Sequence, residues 1–154
     1  MSPRHGTYAL VLKANRTKRI IIGKLGTLNI QPGFYVYVGS AFGPGGLKAR
    51  IGHHRNKSAG RPHWHIDYLS AYLPPAEVWY TRDTAHREHQ WSEIIVGSQK
   101  AYVPLPGFGS SDCHCISHLY FFSSRPSANY FRRKIHAGIG NHARIFREKF
   151  LDKI

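Results

Sequence analysis

The stretch that decides the fold is FYVYVGSAFGPGGLKARIGHH, residues 34–54. Aromatic and β-branched residues alternate in its first part, as in a half-buried strand, and Tyr35 and Tyr37 would leave the same face of that strand. A glycine-rich turn follows and opens a predicted helix of about ten residues. Because Arg50 and His54 are four residues apart, they share one face of this helix. The stretch therefore predicts a strand, turn and helix that bring a phenol, a guanidinium and an imidazole together.

Such a group of side chains has two interpretations. Backbone N–H groups at a helix start can bind an anion, an arginine can stabilise charge on a phosphate, and a phenol or imidazole can position or deprotonate water. Together these are the requirements of phosphodiester cleavage. Tyrosines in strands also serve as cross-strand packing, so a packing role for Tyr35, Tyr37 and, from a neighbouring strand, Tyr8 is the alternative.

Runs typical of strands and helices alternate along the rest of the chain, which predicts a small α+β domain. The first three strand-like runs are joined by short connections, so we expect a hairpin and a central three-stranded antiparallel sheet flanked by helices. These runs are 7–13, 19–22 and 34–38. Further strands are predicted at 77–81 and 118–122, and further helices at 65–72 and 84–96, the last capped near Asp83 or Thr84.

The C-terminal part is predicted to be helical. A helix is expected from Ser127 to a break at 138–141, and a second helical segment from there to the end. Apolar residues recur at i, i+4 spacing in this segment, at Phe146, Phe150 and Ile154. Residues 126–154 would therefore form a basic helical extension of a domain that spans residues 1–125. Packing on that domain is the preferred interpretation, and a basic arm laid on nucleic acid is the alternative.

Basic residues dominate the charge of the chain. There are 22 Lys and Arg residues against 8 Asp and Glu residues, a formal net charge of +14. Residues 1–66 hold eleven of the basic residues and no acidic one. A solvated surface usually mixes both signs, so this half predicts a polyanionic partner, DNA in the first place and RNA as the alternative. The candidate contacts to nucleic acid are Ser40, Lys48, Arg55, Lys57, Arg61 and His63.

The few carboxylates limit where a metal ion can bind. Cleavage of a phosphodiester commonly uses a divalent ion, and such an ion needs a carboxylate. On the third predicted helix, Glu88 shares the apolar stripe, whereas Glu93 falls on a wetter side. A carboxylate on a core-facing stripe needs a partner, either an arginine or a metal ion, and one carboxylate suffices for Mg²⁺, which keeps several waters. No clear partner is predicted for three other acidic residues, Asp67, Glu77 and Asp83.

The two cysteines indicate the compartment and a second candidate site. Cys113 and Cys115 are too close in sequence for an unstrained disulfide, which predicts reduced thiols and a cytoplasmic protein. No apolar run approaches the roughly 20 residues of a membrane span, and the N-terminus lacks the apolar core of a signal peptide. Cys113, Cys115 and His118 could hold zinc, although their spacing identifies no fourth ligand. A loop packed against the domain is the preferred interpretation of this segment.

Two tripeptides resemble the signatures of a known enzyme family. Gly6-Thr7-Tyr8 and Tyr37-Val38-Gly39 are similar to those of the GIY-YIG nuclease superfamily. The segments YVGSAFGPGGLKAR, HWHIDYL and PGFGSSDCHCISHL resemble its Uri-type or DUF123 branch, and the resemblance covers roughly residues 5–123. It implies a GIY-YIG-like domain over residues 1–125 that cleaves DNA with the help of Mg²⁺ or Mn²⁺.

The resemblance also implies roles for five side chains. The tyrosines of the two tripeptides, Tyr8 and Tyr37, would surround the attacking water, with one of them proposed as the general base. Arg50 matches the arginine that binds the scissile phosphate, and His54 matches the histidine or tyrosine one helical turn further. Glu88 matches the glutamate that binds the metal ion.

The residues and the resemblance together predict a magnesium-dependent DNA endonuclease with a role in DNA repair. A non-catalytic nucleic-acid-binding module that uses the same basic face is the alternative function. The chain departs from the family pattern at Thr7, where the family has isoleucine, and at Ser40, where many members have a lysine nearby. Both Thr and Ile are β-branched, so a strand accepts the first exchange.

Overall fold

The computed structural model describes residues 4–56, 62, 64–98, 100–110 and 115–150. Its strands are β1 (Gly6–Ala14), β2 (Lys18–Ile22), β3 (Gly26–Ile30), β4 (Gly33–Ala41), β5 (Pro75–Thr81), β6 (Leu119–Phe122) and β7 (Ile145–Lys149). Its helices are α1 (Gly46–Arg55), α2 (His65–Ser70), α3 (Glu88–Val96) and α4 (Ala128–Gly138). None of these helices combines the length and the apolar character that crossing a membrane requires.

The main sheet has five antiparallel strands in the order β6-β4-β1-β5-β7. This confirms the predicted α+β class, but the predicted three-stranded sheet is wrong. Instead of pairing with β1, strand β2 pairs with β3, a strand that the sequence did not predict, and the two form a separate hairpin. The hairpin buries one apolar face, made of Ile20, Ile22, Leu28 and Ile30. Because that face packs on the sheet, the hairpin covers the sheet and does not extend it.

Two layers cover the two faces of the sheet. Successive side chains of a strand point to opposite faces, so Tyr8 and Leu10 of β1 enter one core and Ala9 and Val11 enter the other. Helices α1 and α2 and the β2–β3 hairpin pack on the tyrosine face, whereas α3 and α4 pack on the opposite face. The fold therefore places Tyr8, Tyr37 and His54 of the predicted site on the α1 face, as the alternation of Tyr35 and Tyr37 predicted.

The C-terminal segment corrects one prediction. Helix α4 ends at Gly138 as expected, and its Phe131 and Ile135 are buried against the sheet. The segment predicted to be helical again contains strand β7, which pairs with β5 at the edge of the sheet. The Phe146 ring stacks on the Tyr80 ring of β5 at 5.3 Å between centroids. Apolar spacing of four residues fits a strand edge as well as a helix, and pairing with β5 decides between them.

Helix α3 also begins later than predicted. It starts at Glu88, because the carboxylate of Asp83 holds the preceding loop and does not cap a helix. Asp83 accepts hydrogen bonds from the backbone N–H groups of Ala85 and Ala143, both at 2.9 Å, and pairs with Arg87 at 3.2 Å. The late start places Glu88 in the first turn of α3.

Candidate active site

The two signature tripeptides lie side by side on β1 and β4. Tyr8 is opposite Gly39 in the antiparallel register, and the Tyr8 and Tyr37 rings are 6.3 Å apart between centroids. A methyl group on Gly39 would lie 2.5 Å from the Tyr8 hydroxyl oxygen and 3.0 Å from Cε2 of Tyr37. Glycine is therefore required at this position, because only hydrogen leaves room for both phenols.

Helix α1 inserts His54 beside these phenols. The apolar stripe that contains Leu47 and Ile51 anchors the helix in the core, and His54 is itself only 1% exposed. The Tyr8 hydroxyl and His54 Nε2 share a hydrogen bond of 2.6 Å. The second ring nitrogen of His54, Nδ1, is buried without a hydrogen-bond partner among the described residues. The Tyr37 ring meets the His54 ring edge-on at 6.1 Å.

Burial keeps all three groups neutral at neutral pH. It raises the pKa values of Tyr8 and Tyr37 above their ordinary value, and the nearby positive charge of Arg50 opposes part of this rise. Burial also lowers the pKa of His54 from 6.5 to about 3. The short hydrogen bond therefore joins a protonated phenol to a neutral imidazole.

Arg50 lies where the site opens to solvent. Its guanidinium stacks on the indole of Trp64, with Cζ at 3.9 Å from the ring centroid, and Trp64 is 38% exposed. Cation–π stacking holds the long side chain in one orientation while leaving its N–H groups free to bind. A cavity of about 400 Å³ adjoins the pair, lined by Ala41, Gly43, Pro44, Gly46, Ala49, Arg50, His53 and Trp64.

His53 and Asp67 form a second polar pair at this opening. His53 Nε2 lies 2.9 Å from Oδ1 of Asp67, and Oδ2 of Asp67 accepts a hydrogen bond from the Trp64 backbone N–H at 2.9 Å. Asp67 thus has a clear partner and caps α2, contrary to the prediction. Sequence reasoning missed both residues, although an aspartate at the third helical position is a recognisable capping signal.

Glu88 approaches from the opposite layer of the fold. The Arg87 backbone N–H donates to the buried Thr7 hydroxyl at 3.2 Å, which ties the start of α3 to β1 inside the first tripeptide. The Glu88 side chain is 28% exposed, and its negative charge contributes to the raised pKa values of Tyr8 and Tyr37. Within the described parts of the chain, no lysine or arginine nitrogen lies within 4 Å of its carboxylate, and His89 Nε2 is 3.9 Å away. Glu88 could therefore ligate a cation at this end of the sheet.

The start of α1, where the sequence predicts an anion site, uses part of its amide donors internally. The N–H of Gly46 donates to the Gly43 carbonyl at 3.1 Å, and the N–H of Leu47 donates to the Arg4 carbonyl at 2.9 Å. The first two amide donors of the helix are therefore used within the protein.

The predicted nucleic-acid contacts are spread over a wider surface. Ser40 pairs with Thr7 in the β1–β4 register, and Lys48 is exposed on α1. Arg55 is exposed as well, with its guanidinium over the Phe150 ring at 4.2 Å. Three further predicted contacts lie outside the described residues, namely Lys57, Arg61 and His63.

The predicted zinc ligands are described only in part. Cys113 lies outside the described residues, whereas Cys115 and His118 precede β6. These two residues lie beside His89, which the sequence did not suggest.

Comparison with known proteins gives one match. A family model described as a domain of unknown function, DUF123, matches residues 7–140. No curated protein and no solved structure matches the chain. The matched region contains Thr7 and Tyr8 of the first tripeptide, the whole second tripeptide, α1, α3 and most of the sheet. It continues past the domain boundary that the sequence suggested at residue 125.

Proposed function

The chain belongs to the DUF123 family, and we propose that it is a metal-dependent endonuclease that hydrolyses phosphodiester bonds in DNA. We also propose that it is a cytoplasmic enzyme of DNA repair and a Uri-type relative of the GIY-YIG nucleases. The observation that carries the proposal is a convergence of side chains. A hydrogen bond joins Tyr8 to His54, the Tyr37 ring lies beside both of their rings, and the charges of Arg50 and Glu88 both act on the two phenols.

Arg50 is the group suited to the scissile phosphate. Guanidinium binds phosphate oxygens through paired N–H donors and stabilises the negative charge that grows on them during attack. Trp64 holds Arg50 in place and presents an exposed aromatic face beside the same cavity. A nucleotide base could stack on that face while its phosphate contacts the arginine.

The Tyr8–His54 pair is suited to handle the proton of the attacking water. A free tyrosinate is not available at neutral pH, because burial raises the pKa of Tyr8. A hydrogen bond of 2.6 Å allows the phenol proton to pass to Nε2 of His54 as the phenolic oxygen takes a proton from water. Tyr37 borders the same space and would help to position the water.

Glu88 fits the single carboxylate that Mg²⁺ or Mn²⁺ needs. Its oxygens are hard ligands, its side chain reaches solvent, and no lysine or arginine of the described residues neutralises it. A bound divalent ion would stabilise the negative charge on the leaving oxygen. Thr7 supports this role by fixing the start of α3 through the Arg87 amide.

A nucleic-acid-binding module without cleavage is the second candidate. The observation that favours it is the neutral state of the buried site groups, because a raised tyrosine pKa and a lowered histidine pKa leave no strong base before substrate binds. Such a module would bind DNA or RNA through its basic surface. Either function predicts that affinity falls with salt. On duplex DNA, each phosphate contact lowers the logarithm of the binding constant by about 0.9 for every tenfold rise in salt concentration.

The deciding experiment is cleavage of labelled single-stranded, duplex and branched DNA with Mg²⁺, Mn²⁺ or EDTA. We expect metal-dependent cleavage by the wild type. Loss of the metal-binding carboxylate in Glu88→Ala should lower the rate about 1,000-fold. We expect losses of about 100-fold or more for Arg50→Ala and about 100-fold for Tyr37→Phe.

Glu93→Ala is the matched control, because Glu93 is an exposed glutamate on the same helix. It should cleave at the wild-type rate. Cleavage by Glu88→Ala at the wild-type rate would exclude the proposed metal site. If no substrate is cut and DNA binding is unchanged by EDTA, the binding-module function replaces the nuclease.

A further inference from the structure

A second cluster of metal-ligating side chains lies at the junction of α3 and the segment before β6. It consists of His89, Cys115 and His118, whose ligand atoms all lie within 4.8 Å of one another. His89 is on the first turn of α3, and the other two residues come from the segment that leads into β6. The cluster therefore joins two segments that are distant in sequence.

The donor set is typical of zinc. Zinc prefers thiolate and imidazole ligands, whereas Mg²⁺ prefers oxygen, so this cluster and Glu88 would select different ions. Zn–N and Zn–S bonds of about 2.0–2.3 Å in a tetrahedron place ligand atoms about 3.3–3.6 Å apart. The ligand atoms therefore need to approach one another by at most about 1.5 Å. The His89 side chain is 55% exposed and can make most of that movement.

His118 has the support expected of a metal-binding histidine. Its Nδ1 lies 3.1 Å from the hydroxyl oxygen of Ser92, which is 2% exposed. Its backbone N–H donates to Phe108, and its carbonyl accepts from Val38 of β4. A hydrogen bond on one ring nitrogen fixes the ring and directs the other nitrogen toward a metal.

We propose that His89, Cys115 and His118 bind one structural zinc ion. The ion would link the first turn of α3, which carries Glu88, to the segment that borders β4. The three ligands among the described residues leave one tetrahedral position for a fourth ligand. The cluster adjoins the proposed nuclease centre, since His89 Nε2 lies 3.9 Å from the Glu88 carboxylate, but zinc binding does not depend on whether the protein cleaves DNA.

The test is metal binding by the full-length, tag-free protein after treatment with a chelator. Zinc is titrated in competition with a chromophoric chelator, and Co²⁺ is added as a spectroscopic substitute. We expect one zinc per chain, a thiolate-to-cobalt charge-transfer band and the visible bands of tetrahedral cobalt. Cys115→Ser should abolish the charge-transfer band, and Cys115→Ser and His89→Ala should each weaken zinc binding at least about 100-fold.

A control makes the result specific. His136→Ala removes an exposed histidine of α4. This control should not abolish zinc binding, and zinc should raise the melting temperature of the wild type but not of His89→Ala. Because His89 is exposed, that variant tests the site without disturbing the core. Absence of stoichiometric zinc in the wild type, or a charge-transfer band that persists in Cys115→Ser, would overturn the proposal.

Discussion

Glu77 and Glu88 are two carboxylates in opposite electrostatic surroundings. Glu77, on β5, is 1% exposed and receives Arg147 Nε at 2.5 Å, Arg125 Nη1 at 2.7 Å and Trp79 Nε1 at 2.8 Å. Glu88, at the start of α3, is 28% exposed, and among the described residues no lysine or arginine lies within 4 Å of it. Two arginines therefore neutralise the charge of Glu77, whereas Glu88 has no lysine or arginine partner among the described residues.

The difference separates a charge that stabilises the fold from one that remains available to a ligand. A buried carboxylate needs partners to offset its desolvation, and the two arginines and the indole supply them to Glu77. These contacts also tie β7 and the segment before α4 to the edge of the sheet. The charges of Glu88 and Arg50 instead both act on the phenols of Tyr8 and Tyr37, and the Glu88 side chain is partly exposed to solvent. Substitutions at the two glutamates should therefore act on different properties.

The largest expected change in stability comes from Glu77→Gln. It leaves Arg125 and Arg147 without their counter-charge, and we expect the free energy of unfolding to fall by about 3 kcal/mol. This value is at the low end for a broken buried pair because both arginines can reach water. Urea unfolding measures the effect. Glu88→Gln and the exposed control Glu93→Gln should each change stability by less than about 0.5 kcal/mol.

The same unfolding experiment at acid pH should reveal the contribution of the Glu77 charge to stability. Burial acts to raise the pKa of Glu77, but the hydrogen bonds from Arg147 and Trp79 and the arginine charges outweigh it, so the pKa lies below 4.5. A carboxyl group with a lowered folded-state pKa contributes stability that is complete above 4.5 and is lost as pH falls through the folded value. The free energy of unfolding, measured at pH values from about 7 to about 3, should fall less steeply below pH 4.5 in Glu77→Gln than in the wild type. Parallel curves would contradict this assignment.

A smaller effect, on cleavage, is expected from Gly39→Ala. The added methyl group would collide with the Tyr8 hydroxyl and displace it from His54. Displacement of reacting groups by about 1 Å costs on the order of 100-fold in rate, so cleavage should fall about that much. Gly52→Ala is the control, because a methyl group on this exposed glycine of α1 meets nothing within 4 Å. Wild-type cleavage by Gly39→Ala would show that the Tyr8 position is not critical.

The smallest effect is expected from Thr7→Val. Valine has the shape of threonine but cannot accept the hydrogen bond of the Arg87 amide, which would then be buried without a partner. We expect a loss of about 1 kcal/mol in stability and about tenfold in cleavage, since Glu88 follows Arg87 directly. The control is Thr27→Val on the exposed face of β3. An unchanged cleavage rate would mean that Thr7 does not position Glu88.

Much of the candidate site could be predicted from short segments. Alternation along β4 indicated that Tyr35 and Tyr37 share a face, and both indeed border the same core. The i, i+4 spacing in α1 indicated that Arg50 and His54 would lie together. These are regular properties of strands and helices, and they depend on few residues. The predicted chemical roles of these residues stay predictions.

Contacts between distant segments were not predictable in this way. The hydrogen bond of Tyr8 joins residues 46 positions apart, and Glu77 binds arginines 48 and 70 positions away. The sequence showed neither the β2–β3 hairpin nor the pairing of β7. Both features depend on which segment covers a given apolar face or strand edge. Many segments of similar pattern could cover the same face or edge, so the sequence pattern does not identify the right one.

The sequence by itself determined the α+β class, the extent of α1 and α4 and the basic character of the first 66 residues. Those properties follow from local periodicity and composition. Only the tertiary structure decided that Glu77 is neutralised while Glu88 is not, and that Thr7 fixes the start of α3. The physical reason is that burial and pairing belong to surfaces shared by distant segments, so the same residue type acquires opposite roles on β5 and on α3.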